Sequence, residues 1–322
     1  MKLYVSSMGA AAQFAQINNI NSAEINAFMF FMSIFTAFKD LWAYDFMRTA
    51  LASGLAIAIA SGPVGYFILL RRQTFAGDAL SHVAFTSAVG SVVIGINPFA
   101  GMFAGATLAA LSMAANKNVS RARDTHIGVV LAWILGLGSL FLSIYTRSNS
   151  GGNGAFGAAM LFGSILGIST SQAMLTMYIS AAVLLVLAII SRPLLFASLD
   201  PAGAKAAGAP VNFLNVLFLI IAAAIAAEET LTIGALLIFA LLIAPAASAA
   251  KLINRPYIAM AAASGIAAAI TFIGLVLAVW LSLPATFLIS ALAAAVYTFT
   301  ATSQALWQRR KDKVTETDRR AA

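Results

Sequence analysis

Long stretches without a charged residue dominate the chain. Runs that lack Asp, Glu, Lys and Arg cover residues 49–70, 79–116, 125–146, 148–191, 206–227, 230–250 and 256–308. A helix needs about 20 apolar residues to cross a bilayer whose hydrocarbon is about 30 Å thick, because it rises about 1.5 Å per residue. Each run is therefore long enough for at least one membrane-spanning helix.

Helix-breaking residues divide three of these runs. Asn97-Pro98 splits the second run, Pro284 splits the last, and the Gly-rich stretch at 151–154 limits the fourth run to one helix near 171–191. The pattern predicts an all-α fold, a polytopic transmembrane helical bundle of about nine helices, with eight to ten as the range.

Two places leave the helix count open. The uncharged run 25–38 is short and rich in Phe and Met, which is typical of a helix lying at the membrane interface; if it crosses, there are ten spans. The turn at Glu228-Glu229-Thr230 is very tight for two full helices. One neighbour of that turn is then short or re-entrant, and the same holds for residues 155–168.

The distribution of positive charge predicts the orientation of the chain. Of the 322 residues, 61% are hydrophobic and 9% are charged, against about 25% charged in soluble domains, and the formal net charge is +8. Alternate connections and the tail after Trp307 hold fifteen Lys and Arg, whereas the intervening connections hold only Arg147. By the positive-inside rule the C-terminus is cytoplasmic, and the charge indicates membrane anchoring rather than nucleic-acid binding.

Several kinds of chemistry are excluded by the sequence. There are no cysteines, so a metal would have to bind oxygen or nitrogen. The start of the chain is polar and carries no convincing cleavable signal peptide, so the first membrane helix is expected to direct insertion. No GxxxxGK[ST] phosphate loop, HExxH helix or Ser-His-Asp set occurs, so ATP would have to be hydrolysed by a partner.

Asp78 and His82 form the most suggestive pair of ionisable residues. They follow the basic turn Arg71-Arg72 at a spacing of four, which places both side chains on one helix face, one turn apart. A carboxylate and an imidazole suit Zn, Mn or Fe, although two ligands are too few for any of them. The alternative is that Asp78 caps the helix start, with His82 paired to it.

Glu228 and Glu229 form a second acidic pair. At a turn on the outer side, paired carboxylates could draw cations toward an entrance. The alternative is a solvated pair at the end of a helix.

Several motifs along the chain occur together in one known family. They include Ser61-Gly62-Pro63-Val64-Gly65-Tyr66-Phe67, Gly77-Asp78-Ala79-Leu80-Ser81-His82, Asn97-Pro98-Phe99, Asp124-Thr125-His126-Ile127-Gly128, Leu161-Phe162-Gly163-Ser164, Gly234-Ala235-Leu236-Leu237 and Ala244-Pro245-Ala246-Ala247-Ser248. In this order they resemble the zinc/manganese/iron permease subunits of bacterial ABC importers, over residues from about 41 to about 300. The first forty residues have no recognised counterpart, and Glu228-Glu229 is more acidic than the usual family turn.

The resemblance implies a function, partners and a location. It implies a permease that imports Zn, Mn or Fe as a transported ion, with no permanently bound cofactor and with Asp78 and His82 contacting metal. Its expected partners are cytoplasmic ABC ATPase subunits, an extracytoplasmic metal-binding protein and a second permease copy or paired permease. Its expected location is the bacterial inner membrane.

The resemblance also divides the chain. Residues 1–40 would form an N-terminal extension, 41–307 the permease domain and 308–322 a basic cytoplasmic tail. The segment 199–208, which includes Asp200, Gly203, Ala207 and Gly208, matches the family loop that seats in the ATPase; without the resemblance it would be an ordinary linker.

Two other classes of transporter remain as alternatives. A vitamin B12 or iron-chelate permease needs a wide cavity and no ion-ligating pair. A proton- or ion-coupled secondary transporter needs intramembrane acids, usually between inverted repeats, and no internal repeat is evident. A membrane enzyme is not favoured, since no nucleophile or metal-base set occurs. The oxygen and nitrogen ligands do not choose among Zn, Mn and Fe.

Overall fold

The computed structural model describes residues 44–115, 123–148, 157, 159, 161–235 and 238–321. Within them lie ten α-helices, which we number in chain order. They are α1 (Asp45–Leu70), α2 (Thr74–Val93), α3 (Pro98–Ala115), α4 (Arg123–Ser148), α5 (Thr170–Leu199), α6 (Pro201–Ala206), α7 (Val211–Thr232), α8 (Ala244–Leu252), α9 (Pro256–Leu281) and α10 (Ala285–Ala321). A 3₁₀ turn (Ile165–Gly167) precedes α5 and a π-helical segment (Phe239–Ile243) precedes α8.

The predicted all-α fold is confirmed. In the part of the chain that the structure describes, six helices are long and apolar enough to cross a membrane: α1, α3, α5, α7, α9 and the segment Ala285–Ala305 of α10. Shorter apolar helical segments cover Leu131–Arg147 and Phe239–Leu252. With α2, which has 20 residues, these make up the nine predicted segments, and α6 is an additional short helix.

Most predicted breaks coincide with observed helix ends. The chain turns between α2 and α3 at Asn97-Pro98, and between α9 and α10 before Ala285. Proline suits the start of a helix, because the first backbone N–H groups have no acceptor within the helix. Helix α5 extends to Leu199 rather than ending near residue 191. A charged residue near a helix end does not stop it, since a long arginine side chain can reach the interface while the backbone stays helical.

The predicted turn at Glu228-Glu229-Thr230 is wrong, because α7 continues through all three residues to Thr232. The expectation of a short neighbour is nevertheless met. The chain leaves α7 after Thr232 and resumes as the five-residue π-helical segment and the nine-residue α8. The sequence predicts the end of this helix a few residues too early, because the prediction rests on the two charged residues and the helix continues past them to Thr232.

Helix α1 packs between two groups of helices. Helix α2 packs on α3, α4 and α7, whereas α8, α9 and α10 pack on one another. A carbon added as Cβ at Gly62 would lie 2.3 Å from the backbone N of Ser264 in α9, and one added at Gly65 would lie 1.8 Å from the carbonyl O of Leu242. These two glycines therefore allow α1 to approach the second group backbone to backbone, as small residues do between membrane helices.

Two predictions concern the ends of the chain. The proposed interfacial segment 25–38 and the extension 1–40 lie outside the described residues. By its internal contacts the chain divides into two units, residues 1–48 and 49–322. At the other end, α10 runs without a break from Ala285 to Ala321 and so includes the basic tail.

Candidate functional site

Asp78 and His82 lie inside α2 and not at its start. The helix begins at Thr74, and Gln73 occupies the N-cap without a side-chain hydrogen bond. Asp78 is thus in the second turn, too far along the helix to cap it. The alternative that Asp78 caps the helix is wrong.

The two side chains converge as their spacing predicts. His82 Nε2 lies 3.7 Å from Asp78 Oδ1, which is longer than a hydrogen bond. Two ligand atoms at about 2.1 Å from one ion are separated by roughly 3 to 3.6 Å, so a small adjustment would let both bind a single cation. The side chain of His82 is 8% exposed and that of Asp78 is 18% exposed, so the pair is partly accessible at the helix surface.

This pair is not a complete metal site by itself. Across the described ranges, no group of three or more His, Asp or Glu side chains could hold a metal ion. The ring Nδ1 of His82 is buried and finds no hydrogen-bond partner among the residues that the structure describes. In proteins a ligating histidine commonly donates a hydrogen bond from its second ring nitrogen, so an additional group would be needed both around an ion and behind the ring.

Glu228 and Glu229 are buried, contrary to the solvated or entrance position expected for them. Their relative exposures are 1% and 0%. Glu228 Oε2 accepts a hydrogen bond from Ser180 of α5 at 2.9 Å, and Glu229 Oε1 accepts one from Ser61 of α1 at 2.5 Å. The sequence predicts a solvated position for these acids because it predicts a turn there. In the structure they lie inside α7, where their side chains face α5 and α1 rather than solvent.

The segment that follows Asp200 forms the short helix α6. The Asp200 side chain accepts a hydrogen bond from the backbone N of Gly203 at 2.9 Å, and Pro201 occupies the first turn of α6. Ala204 is fully buried, whereas Ala207 and Gly208 are exposed. Gly208 has a φ of +83°, a conformation that favours glycine.

Several residues around Glu228 and Glu229 and around the Asp78/His82 pair carry no recognisable signal in the sequence. Ser61, Ser81, Ser180 and Thr230 bond between helices, and such contacts join residues up to 168 positions apart. Ser and Thr are common in membrane helices, where their hydroxyls usually bond to their own helix. The acids Glu228 and Glu229 are the one sequence signal for these contacts, because an acid buried between membrane helices requires a polar partner.

Arg71 has a structural role beyond its charge. Its guanidinium donates to the side-chain oxygen of Asn215 in α7 at 2.8 Å and lies 5.1 Å from the centre of the Phe218 ring. A hydrogen bond and a cation–π contact together fix the α1–α2 turn against α7. The start of α2, and with it the Asp78/His82 pair, is therefore held at a defined place on α7.

Known proteins are similar to this chain in sequence. The model of the family described as the ABC 3 transport family matches residues 43–304. A manganese import system permease protein, ScaB of Streptococcus parasanguinis, is 32% identical over 74% of this chain and 84% of its own length. A manganese transport system membrane protein, MntC of Halalkalibacterium halodurans, is 31% identical over 70% and 76% of the two chains.

A solved structure is also similar. A chain of PsaBC from Streptococcus pneumoniae, solved in complex with a Fab, superposes with a TM-score of 0.74 at 28% identity. The match covers 83% of this chain and 95% of that one.

Proposed function

Because the chain belongs to the ABC 3 transport family, we propose that the metal it carries through the membrane is Mn²⁺. The chain is a multi-pass permease subunit of an ABC metal importer, and it is a transport subunit whose ATP is hydrolysed by a separate protein. Two relatives that match most of its length are named as a manganese import permease and a manganese transport membrane protein. The choice of Mn²⁺ rests on these names, because the carboxylate and imidazole donors suit Mn²⁺, Zn²⁺ and Fe²⁺ alike.

The observation that supports transport of a divalent metal by this chain is the convergence of Asp78 and His82 at 3.7 Å on one face of α2. An anionic oxygen and an imidazole nitrogen offer two ligands at once to a cation that is losing its hydration water. Because Asp78 is partly exposed, the ion can reach both. Because the pair offers only two ligands, the ion would keep water or take ligands from another copy of the chain. A weak, incomplete site suits an ion that must leave again.

The assembly follows from the family. ATPase subunits and a metal-binding protein are the partners expected of an ABC importer permease. We propose that two copies of the chain pair in the bacterial inner membrane with the C-terminus of α10 inside. We also propose that α6 is the contact for the ATPase, since it exposes Ala202, Ala206 and Ala207 as a small-residue surface.

An uptake assay tests the choice of metal and energy source. Vesicles that contain the complete transporter, with its ATPase and binding protein, would be offered radiolabelled Mn²⁺, Zn²⁺ or Fe²⁺ with ATP or with a proton gradient. We expect ATP-dependent uptake with Mn²⁺ preferred. Preferred uptake of Zn²⁺ or Fe²⁺ would refute the manganese proposal, and uptake driven by the proton gradient without ATP would support the secondary-transporter alternative.

The contact of α6 is tested with Ala206→Trp, and Ala206→Ser is the matched control. A bulky ring on the exposed face of α6 should obstruct a partner surface, so we expect uptake to fall by about tenfold, consistent with the loss of a little over 1 kcal/mol or more at a packed contact. Co-purification of the ATPase should fall with it, while Ala206→Ser behaves as the wild type. Normal co-purification with Ala206→Trp would place the ATPase contact elsewhere.

A further inference from the structure

Three successive residues of α7 face three different helices. Glu228 bonds to Ser180 of α5 and Glu229 bonds to Ser61 of α1. Thr230 Oγ1 donates to the carbonyl O of Ala226 in α7 at 2.7 Å and lies in a longer contact, at 3.4 Å, with the carbonyl O of Ser81 in α2. Successive side chains of a helix point about 100° apart, so these three leave α7 in three directions. We name Glu228, Glu229 and Thr230 the α7 junction.

The two carboxyl groups are too enclosed to act as an entrance for ions. Both are buried, and in the described part of the chain Glu228 Oε1 and Glu229 Oε2 have no hydrogen-bond partner. Among the described residues neither carboxyl forms an ion pair. Burial of such groups is costly, so the serine hydroxyls that bond to the other two oxygens contribute directly to the stability of this arrangement.

The α7 junction reaches the metal pair through Ser81. Ser81 is fully buried, lies between Asp78 and His82 in the sequence, and its hydroxyl donates to the carbonyl O of Asp78 at 2.7 Å. The same hydroxyl lies 3.4 Å from the carbonyl O of Ala235, just beyond the end of α7. Ser81 thus lies in contact, through its carbonyl and its hydroxyl, with residues on either side of Thr232.

We propose that Glu228, Glu229 and Thr230 are positioning residues for metal transport, which hold the Asp78/His82 turn of α2 at a fixed place relative to α1 and α5. This inference rests on the proposed function of Asp78 and His82. The hydrogen-bonding capacity of the two acids is what the arrangement requires, and their negative charge is not. The junction therefore differs from an acidic entrance, in which charge is the property that matters.

Glutamine and leucine substitutions separate these two roles. Glu229→Gln keeps an oxygen that can accept from Ser61 but removes the ionisable group, whereas Glu229→Leu removes both. Thr230→Val removes the hydroxyl at almost constant shape, and Thr230→Ser restores it. The measurement is the KM and maximal rate of Mn²⁺ uptake by the complete transporter, normalised to the amount of chain inserted in the membrane and bound to its ATPase.

We expect Glu229→Gln and Thr230→Ser to keep the KM for Mn²⁺ within about twofold of the wild type. Glu229→Leu should raise it by about tenfold, at the lower end of the effect of partners behind metal ligands, and Thr230→Val by about threefold. An equal loss in Glu229→Gln and Glu229→Leu would show that charge is needed and would overturn the proposal. An unchanged KM in both Glu229→Leu and Thr230→Val, after normalisation, would also overturn it.

His82→Ala is the reference that keeps the two claims apart. If His82→Ala loses uptake while Glu229→Leu and Thr230→Val keep the wild-type KM, the metal pair stands and the junction is refuted. If His82→Ala takes up Mn²⁺ normally, the proposed function of the pair is refuted whatever the junction variants do. Should Glu229→Leu fail to insert, Thr230→Val, which changes one hydroxyl, still decides the question.

Discussion

Two pairs of ionisable residues in this permease differ in their spacing as well as in their residue types, and the spacing gives them different surroundings. Asp78 and His82 are four residues apart, so they share a face of α2, lie 3.7 Å from each other and stay partly exposed. Glu228 and Glu229 are adjacent, so they leave α7 in different directions, and each bonds to a serine of a different helix. The first geometry suits two ligands of one ion, and the second suits two separate contacts between helices.

The largest effect is expected from removing a ligand of the first pair. His82→Ala deletes one of the two proposed ligand groups, so Mn²⁺ uptake should fall by about a hundredfold or more, since even partners behind metal ligands contribute about 10- to 100-fold. Ser91→Ala is the matched control, because Ser91 is also buried in α2 but its hydroxyl bonds to Ala88 of the same helix. Uptake in metal-limited cells measures both. Full uptake by His82→Ala would show that the first pair, like the second, does not bind the transported ion.

A second variant disturbs the surroundings of the second pair through α1. In Gly65→Ala the new methyl group would lie 1.8 Å from the carbonyl O of Leu242, so α1 must move, and Ser61 moves with it. Overpacking of this kind costs about 1 to 3 kcal/mol or more, so we expect little folded protein after extraction in detergent. Gly265→Ala, with nothing within 4 Å of the added carbon, should behave as the wild type. Comparable yields from the two variants would argue against the close approach of α1.

The smallest effect is expected from removing one hydroxyl that bonds to the second pair. Ser180→Ala leaves Glu228 without its hydrogen bond, which should lower the free energy of unfolding by about 1 to 3 kcal/mol. Ser112→Ala, in which an exposed hydroxyl bonds only to Ala109 of its own helix, should have almost no effect. Thermal unfolding of the purified chain in detergent measures the difference. Equal melting temperatures for the two variants would indicate that Glu228 gains nothing from Ser180.

Helix positions and the convergence of Asp78 and His82 were predictable from the sequence because they depend on local properties. Uncharged runs located the apolar helices, Asn97-Pro98 separated α2 from α3, and a spacing of four brought Asp78 to His82. Asp200 and Pro201 likewise marked the start of α6. Each of these features is set by residues within a turn or two of one another.

The environment of Glu228 and Glu229 was not predictable in the same way. Two adjacent acids before an apolar run resemble a solvated turn, and only the serines of α1 and α5, 168 and 48 positions away, allow the helix to continue through them. Helix α5 likewise continues past the predicted end near residue 191, through Arg192, to Leu199. Tertiary partners decide such cases, and a single sequence does not display them.

The central claim is that Asp78 and His82 bind the transported ion together, and pulsed electron paramagnetic resonance of Mn²⁺ tests it most directly. The spectrum of the assembled transporter loaded with Mn²⁺ reports nitrogen atoms bound to the ion. We predict a histidine nitrogen signal in the wild type that is lost in His82→Ala and retained in Ser91→Ala. A histidine signal that persists unchanged in His82→Ala would contradict the account.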